Sequence, residues 1–140
     1  MYHELGEDRG FIIVPERKRP GKHRRRLLCV DDERTIALLT AQVLETGGYE
    51  VTALCNPLQA IEICDRENVE LAVLDYEMPQ MTGACLAAQL RSARSKLKIV
   101  LFTGALQLPK PDLSLVDAVV HKSEGVEVLL ATVDKLLAAF

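Results

Sequence analysis

Leu27-Leu28-Cys29-Val30-Asp31-Asp32-Glu33 decides how this chain is read. Four apolar residues without polar alternation make a strand buried on both faces, and three acids follow at its carboxyl end. The arrangement recurs along the chain. Leu71-Ala72-Val73-Leu74 runs into Asp75, Ile99-Val100-Leu101-Phe102 into Thr103-Gly104, and Val119-Val120-His121 into Lys122. Short strands of this kind belong in a parallel sheet covered by helices. Carboxylates, a hydroxyl and an ammonium at successive strand ends would then converge on one edge of the sheet.

Helical patterns separate these runs. Residues 33–46 place Ile36, Leu39, Val43 and Leu44 on one stripe and stop at Gly47-Gly48. Val51 to Leu54 predict a second strand. Asn56-Pro57 reads as a cap followed by proline at the first helical position, opening a helix over 57–66 with Ala60, Ile61 and Cys64 inward. A third strand is expected over 70–74 and a helix over 83–93 that buries Leu86 and Leu90. Strands over 98–102 and 117–121 follow. A last helix over 125–139 presents Val126, Leu129, Leu130, Val133, Leu136 and Leu137. The repeat predicts an α/β fold: a doubly wound, five-stranded parallel sheet of flavodoxin-like order 2-1-3-4-5 with helices on both faces. Strands 1 and 3 are then neighbours at the switch point, where ligands bind beyond the carboxyl ends. Asp31, Asp32 and Asp75 meet there.

Composition bounds the rest. The 140 residues, 49% of them apolar, suit one domain with a full core and argue against a disordered chain. No apolar run approaches the ~18 residues of a membrane span, and Met1 to Gly10 lack the layout of a signal peptide. A cytoplasmic protein without membrane contact is expected. Cys29, Cys55, Cys64 and Cys85 lack the close pairing of zinc or redox sites, and Cys29 and Cys85 read as buried small hydrophobes. Charge is uneven. Residues 1–26 hold eight Lys/Arg against four Asp/Glu, whereas residues 27–140 hold nine against sixteen. Residues 1–25 read as a basic, flexible arm with an apolar patch at Phe11-Ile12-Ile13-Val14, and residues 26–140 as the domain. The basic run from Pro15 to Arg26 has no helical period and no interleaved aromatics. Simple solvation explains it better than nucleic-acid contact.

Three acids at one sheet edge repel one another, and a cation relieves that repulsion. Carboxylate oxygens favour magnesium over zinc. The Val30-Asp31-Asp32-Glu33 pair, the segment Leu74-Asp75-Tyr76-Glu77-Met78-Pro79-Gln80-Met81-Thr82-Gly83, and the later Thr103 and Lys122 together resemble the receiver domain of bacterial two-component response regulators. The resemblance covers residues 26–140. It implies that Asp75 takes a phosphoryl group from a histidine kinase or phosphotransfer protein. Asp31, Asp32, Asp75 and the backbone carbonyl of Glu77 would hold Mg2+, and Thr103 and Lys122 would bind the phosphoryl oxygens. An aspartyl phosphate is a sound covalent intermediate, and it adds roughly −2 charge with three strong acceptors.

Several positions depart from that pattern. Ser123 follows Lys122 where the family usually has proline, and Val119 stands where Tyr or Phe is common. Thr103 to Lys122 is also about three residues short, by comparison with the family. Leu108-Pro109-Lys110-Pro111 argues against a regular helix there, leaving a turn near Asp112 to Val116. These changes fall on the expected output surface around Val119 and Ser123 and leave the phosphorylation residues intact. His121 reads as structural.

With no output domain after the last helix, the expectation is a single-domain response regulator acting on an unnamed downstream protein. It would not be an ordinary enzyme. The alternative is a non-phosphorylated receiver-like interaction module. A phosphatase with an Asp nucleophile, of haloacid-dehalogenase type, fits poorly, because it needs a second Asp two residues after a nucleophile on strand 1.

Overall fold

The computed structural model describes residues 2–5, 12–15 and 24–138. The strands are β1 (Tyr2–Leu5), β2 (Ile12–Pro15), β3 (Arg26–Val30), β4 (Glu50–Leu54), β5 (Leu71–Leu74), β6 (Lys98–Thr103) and β7 (Ala118–His121). The helices are α1 (Arg34–Thr46), α2 (Ala60–Arg66), α3 (Gly83–Ala93), α4 (Lys110–Leu113) and α5 (Val126–Ala138). The sheet order is β1-β2-β4-β3-β5-β6-β7. Its last five strands are parallel and reproduce the expected 2-1-3-4-5 order.

β1 and β2 form an antiparallel pair added to the edge strand β4, with Ile12 opposite Leu54 and Ile13 opposite Ala53. The apolar patch of the arm therefore supplies a strand. Most of the basic run, residues 16–23, lies outside the described residues.

Period-two alternation splits the core between the sheet's faces. Leu27, Cys29 and Val73 point to the face covered by α1 and α5, where Ala37, Leu44, Leu129 and Val133 meet them. Leu28, Val30 and Leu74 point to the other face, against Ile63 of α2 and Leu86 and Leu90 of α3. Each fully buried leucine contributes roughly 1.5–3 kcal/mol relative to exposure. The helix stripes sit slightly off their expected registers. On α1 the buried positions are Ala37, Thr40, Ala41 and Leu44, and Leu39 is exposed. On α2 they are Ala60, Ile63 and Cys64, and Ile61 is exposed. Each inward stripe mixes small residues with one large one, Leu44 on α1 and Ile63 on α2.

Asn56 caps as expected, its side chain accepting from the Leu58 N–H at 3.0 Å, although Pro57–Gln59 form a 3-10 turn before α2. α4 is one turn long, but Pro109 precedes it and Pro111 lies in its first turn, so the prolines open the helix instead of blocking it. Cys85 is exposed on α3, contrary to expectation, because the buried stripe there runs through Ala84, Leu86, Ala87 and Leu90. No helix among the described residues is long and apolar enough to cross a membrane.

Candidate functional site: an acidic pocket at the carboxyl edge of the sheet

Strand register builds the site. Val30 pairs with Leu74, so Asp31 and Asp75 leave adjacent strands at the same level. Backbone bonds hold both: the Asp75 N–H donates to the Val30 carbonyl at 2.9 Å, and the Asp31 N–H to the Leu54 carbonyl at 3.0 Å. Thr103 pairs with His121, which brings Lys122 to the same edge one residue later. Sheet geometry alone thus gathers residues from four separate parts of the chain.

Asp31 and Asp75 are buried and Asp32 is exposed, and the three can present carboxylate oxygens all within 4.8 Å of one another. The Lys122 ammonium bridges the two buried acids, at 2.9 Å from Asp31 Oδ2 and 3.2 Å from Asp75 Oδ1. Burial, and then the Asp31 charge, push the Asp75 carboxyl up to about 6, while Lys122 pulls it the other way. Burial alone would lower the Lys122 pKa, but its bonds and charge pairing with Asp31 and Asp75 raise it. One ammonium against three carboxylates leaves net negative charge in a partly dry pocket. Oxygen donors that are all carboxylate fit a hard divalent cation such as magnesium.

The loop from Asp75 to α3 is closed tightly. The Gly83 N–H donates to the Tyr76 carbonyl at 2.7 Å, and Glu77 pairs with Thr82. A Cβ on Gly83 would stand 2.3 Å from the Asp75 carbonyl oxygen, so only glycine permits this approach. Thr82 caps α3 by accepting from the Cys85 N–H at 3.1 Å.

Thr103 is buried, and its hydroxyl accepts from the Ala105 N–H at 3.0 Å. His121 is tied in as well. Its Nδ1 donates to the Ala105 carbonyl at 3.0 Å, which fixes the tautomer because a carbonyl only accepts. Lys122 then begins a 3-10 turn, secured by the His121 N–H donating to Glu124 at 2.8 Å. Val119 is half-buried and Ser123 exposed. Two residues that sequence reasoning did not single out also meet here: Tyr76 donates its hydroxyl to Asp112 of α4 at 2.6 Å. Only the position of Tyr76 next to Asp75 hinted at this, because its partner is 36 residues away. A separate cavity of about 640 Å³ opens at the opposite, amino end of the strands between Arg25, Glu70, Arg94 and Leu137, remote from the acids.

Clustered acids at the carboxyl edge of a doubly wound sheet, beside its switch point, form a group that could hold a cation. The profile of the response regulator receiver domain matches residues 27–111, and the chain belongs to that family. Receiver domains are regulatory units of two-component phosphorelays. The chain is 30% identical over 115 residues to the response regulator MprA of Mycobacterium leprae, covering 80% of this chain and 50% of that protein. It is 28% identical over 79 residues to sporulation initiation phosphotransferase F of Bacillus subtilis, covering 56% of this chain and 64% of that one. The chain spans only 14% to 64% of the lengths of the first curated relatives it matches. Among solved structures it resembles the response regulator TrrA of Thermotoga maritima in complex with Mg(2+)-BeF. That likeness has 32% identity and a TM-score of 0.74, and covers 80% of this chain and 98% of that one. TrrA has also been solved in complex with the histidine kinase ThkA, and that structure matches with a TM-score of 0.72.

Proposed function

We propose that the domain, residues 26–140, accepts a phosphoryl group on Asp75 from a histidine kinase or phosphotransfer protein and signals by changing its binding surface. The observation that carries this reading is the Lys122 bridge between Asp31 and Asp75, with Asp32 completing the carboxylate cluster. Asp31, Asp32, Asp75 and the Glu77 carbonyl would hold Mg2+, which supplies charge neutralisation for the incoming phosphoryl oxygens. In the transfer, an Asp75 carboxylate oxygen attacks phosphorus, an O–P bond forms, and the N–P bond to the donor imidazole breaks. Lys122 moves from carboxylate to phosphoryl oxygens. Most of the acceleration comes from positioning and charge neutralisation. Later attack by water returns the carboxylate and inorganic phosphate.

Thr103 reads the product. Its hydroxyl leaves the Ala105 N–H and donates to a phosphoryl oxygen, which draws in the loop after β6 and alters the surface around Val119 and Ser123. The test is intact mass after incubation with acetyl phosphate, with and without magnesium, on the wild type and Asp75→Asn. A magnesium-dependent gain of one phosphoryl group, absent in the variant, is expected. No gain under conditions that label TrrA would overturn the reading. It would favour a non-phosphorylated interaction module, a reading to which the one-turn α4 and Val119 lend some support.

A further inference from the structure

The segment from Gly104 to Asp117 joins Thr103 to β7 and carries α4. Its end is fixed at Asp117 by Arg91 and by the Ile99 backbone, and ahead of that polar bonds tie it back from His121 to the Ala105 carbonyl beside Thr103 and from Tyr76 to Asp112 on α4. The last tie starts from the residue directly after Asp75. Its backbone is fixed by the Gly83 bond at 2.7 Å and by the close approach of Gly83 to the Asp75 carbonyl. The phenol thus extends from a fixed stretch of backbone and reaches 2.6 Å from Asp112 Oδ2. Tyr76 also packs against the same half of the core as Leu108, Leu115, Val116 and Val119, which flank α4 and β7. Val119 has neither the size nor the polar tip to link Thr103 to the outer face, whereas Tyr76 has both.

We propose that the Tyr76–Asp112 hydrogen bond holds α4 in the position that accompanies a disengaged Thr103, so that Tyr76 is a positioning residue coupling the acceptor to the output face. The inference rests on the phosphoacceptor reading above. In this structure the Thr103 hydroxyl is engaged by the Ala105 N–H at 3.0 Å. Turning it toward a phosphoryl group breaks that bond and draws Gly104 and Ala105 toward Asp75. Only residues 104–108 separate Thr103 from the Pro109 that opens α4, and Leu108 is anchored against the core. A shift of Gly104 and Ala105 thus reaches α4 through this five-residue link, and α4 then moves relative to Tyr76, whose backbone stays with the Asp75 loop. An interaction made in one state only shifts the equilibrium by its own free energy. The tie thus opposes phosphoryl acceptance.

The test measures the affinity of the full chain for beryllium fluoride in saturating magnesium, by calorimetry. The wild type, Tyr76→Phe, Asp112→Ala and the double variant are compared, with amide exchange followed over Lys110 to Val116. Each single variant is expected to bind roughly five- to tenfold more tightly than wild type, the equivalent of one net hydrogen bond. The double variant should match either single one, because both remove the same bond. Exchange on α4 should be faster in all three without the ligand. Unchanged or weaker binding by Tyr76→Phe, or additive effects, would overturn the proposal while leaving phosphoryl acceptance standing. Failure of the wild type itself to bind would remove both.

Discussion

Gly83→Ala tests whether the Asp75 loop is as tightly closed as the structure has it. The added Cβ would lie 2.3 Å from the Asp75 carbonyl oxygen, and 3.0 Å from both the Asp75 carbonyl carbon and Leu101 Cδ2. An ordinary C···O contact is about 3.3–3.6 Å, so roughly 1 Å must be opened between two pieces of backbone. Neither piece moves freely. Asp75 is bonded to Val30 within the sheet, and α3 is held down by buried Leu86, Ala87 and Leu90. Overpacking of this kind costs about 1–3 kcal/mol. Alanine in a helix returns about 0.5–1 kcal/mol of backbone entropy, leaving a net loss on the order of 1–2 kcal/mol. Urea denaturation should show a lower midpoint at unchanged slope. The strain falls on the acceptor residue, so the rate of phosphoryl labelling should drop too, by up to about a hundredfold if the full displacement reaches the carboxylate. For stability, Gly104→Ala is the control, since a Cβ there meets nothing within 4 Å. Wild-type stability and labelling rate in Gly83→Ala would refute the close approach and the rigidity argued from it.

Thiol labelling of the native chain, mapped by mass, should modify Cys85 first. Cys55, half-buried with its thiol pushed up to about 11 by burial, should react more slowly, and buried Cys29 and Cys64 only on unfolding. Tyr49 donates to Asp134 at 2.5 Å, and burial followed by that bond raises its phenol to about 12. The folded value lies above the unfolded one near 10, so this contribution is complete below pH 10 and is lost as pH rises toward 12. The stability gap between wild type and Tyr49→Phe should accordingly shrink over that interval in denaturant titrations. A gap that is constant with pH would remove the bond from the account. Lys122→Met leaves Asp31 and Asp75 facing each other without their shared cation. It should lower the melting temperature, by roughly 2–3 kcal/mol of stability, and added magnesium should recover more for the variant than for wild type. Equal magnesium responses would mean that lysine and metal do not share these acids.

The parallel sheet, its strand order and the meeting of Asp31, Asp32, Asp75 and Lys122 were legible in the chain itself. Strand periodicity and strand ends are local properties, and parallel pairing converts equal positions on successive strands into neighbours in space. The bridging position of Lys122 was less accessible: the residue was assigned to the phosphoryl oxygens, and only coordinates show its ammonium between two carboxylates. The inward faces of α1 and α2 were misread at Leu39 and Ile61, and Cys85 was placed inside, because each helix's rotation about its axis is set by its packing on the sheet. Apolar composition alone does not record that rotation. The prolines around Lys110 were read as reducing α4 to a turn, which it is, although it starts at Lys110 because the same ring that prevents an interior turn favours a first turn. The hairpin of β1 and β2 and the Tyr76–Asp112 bond could come only from tertiary structure. The docking of β2 on β4 and the Tyr76–Asp112 bond each join residues tens of positions apart with no shared period, so nothing local marks them. What the sequence determined by itself is the chemistry at the ends of the strands, since that follows from backbone pairing. Tertiary structure decided how this chemistry connects to α4, since that depends on which side chains happen to reach one another across the packed faces.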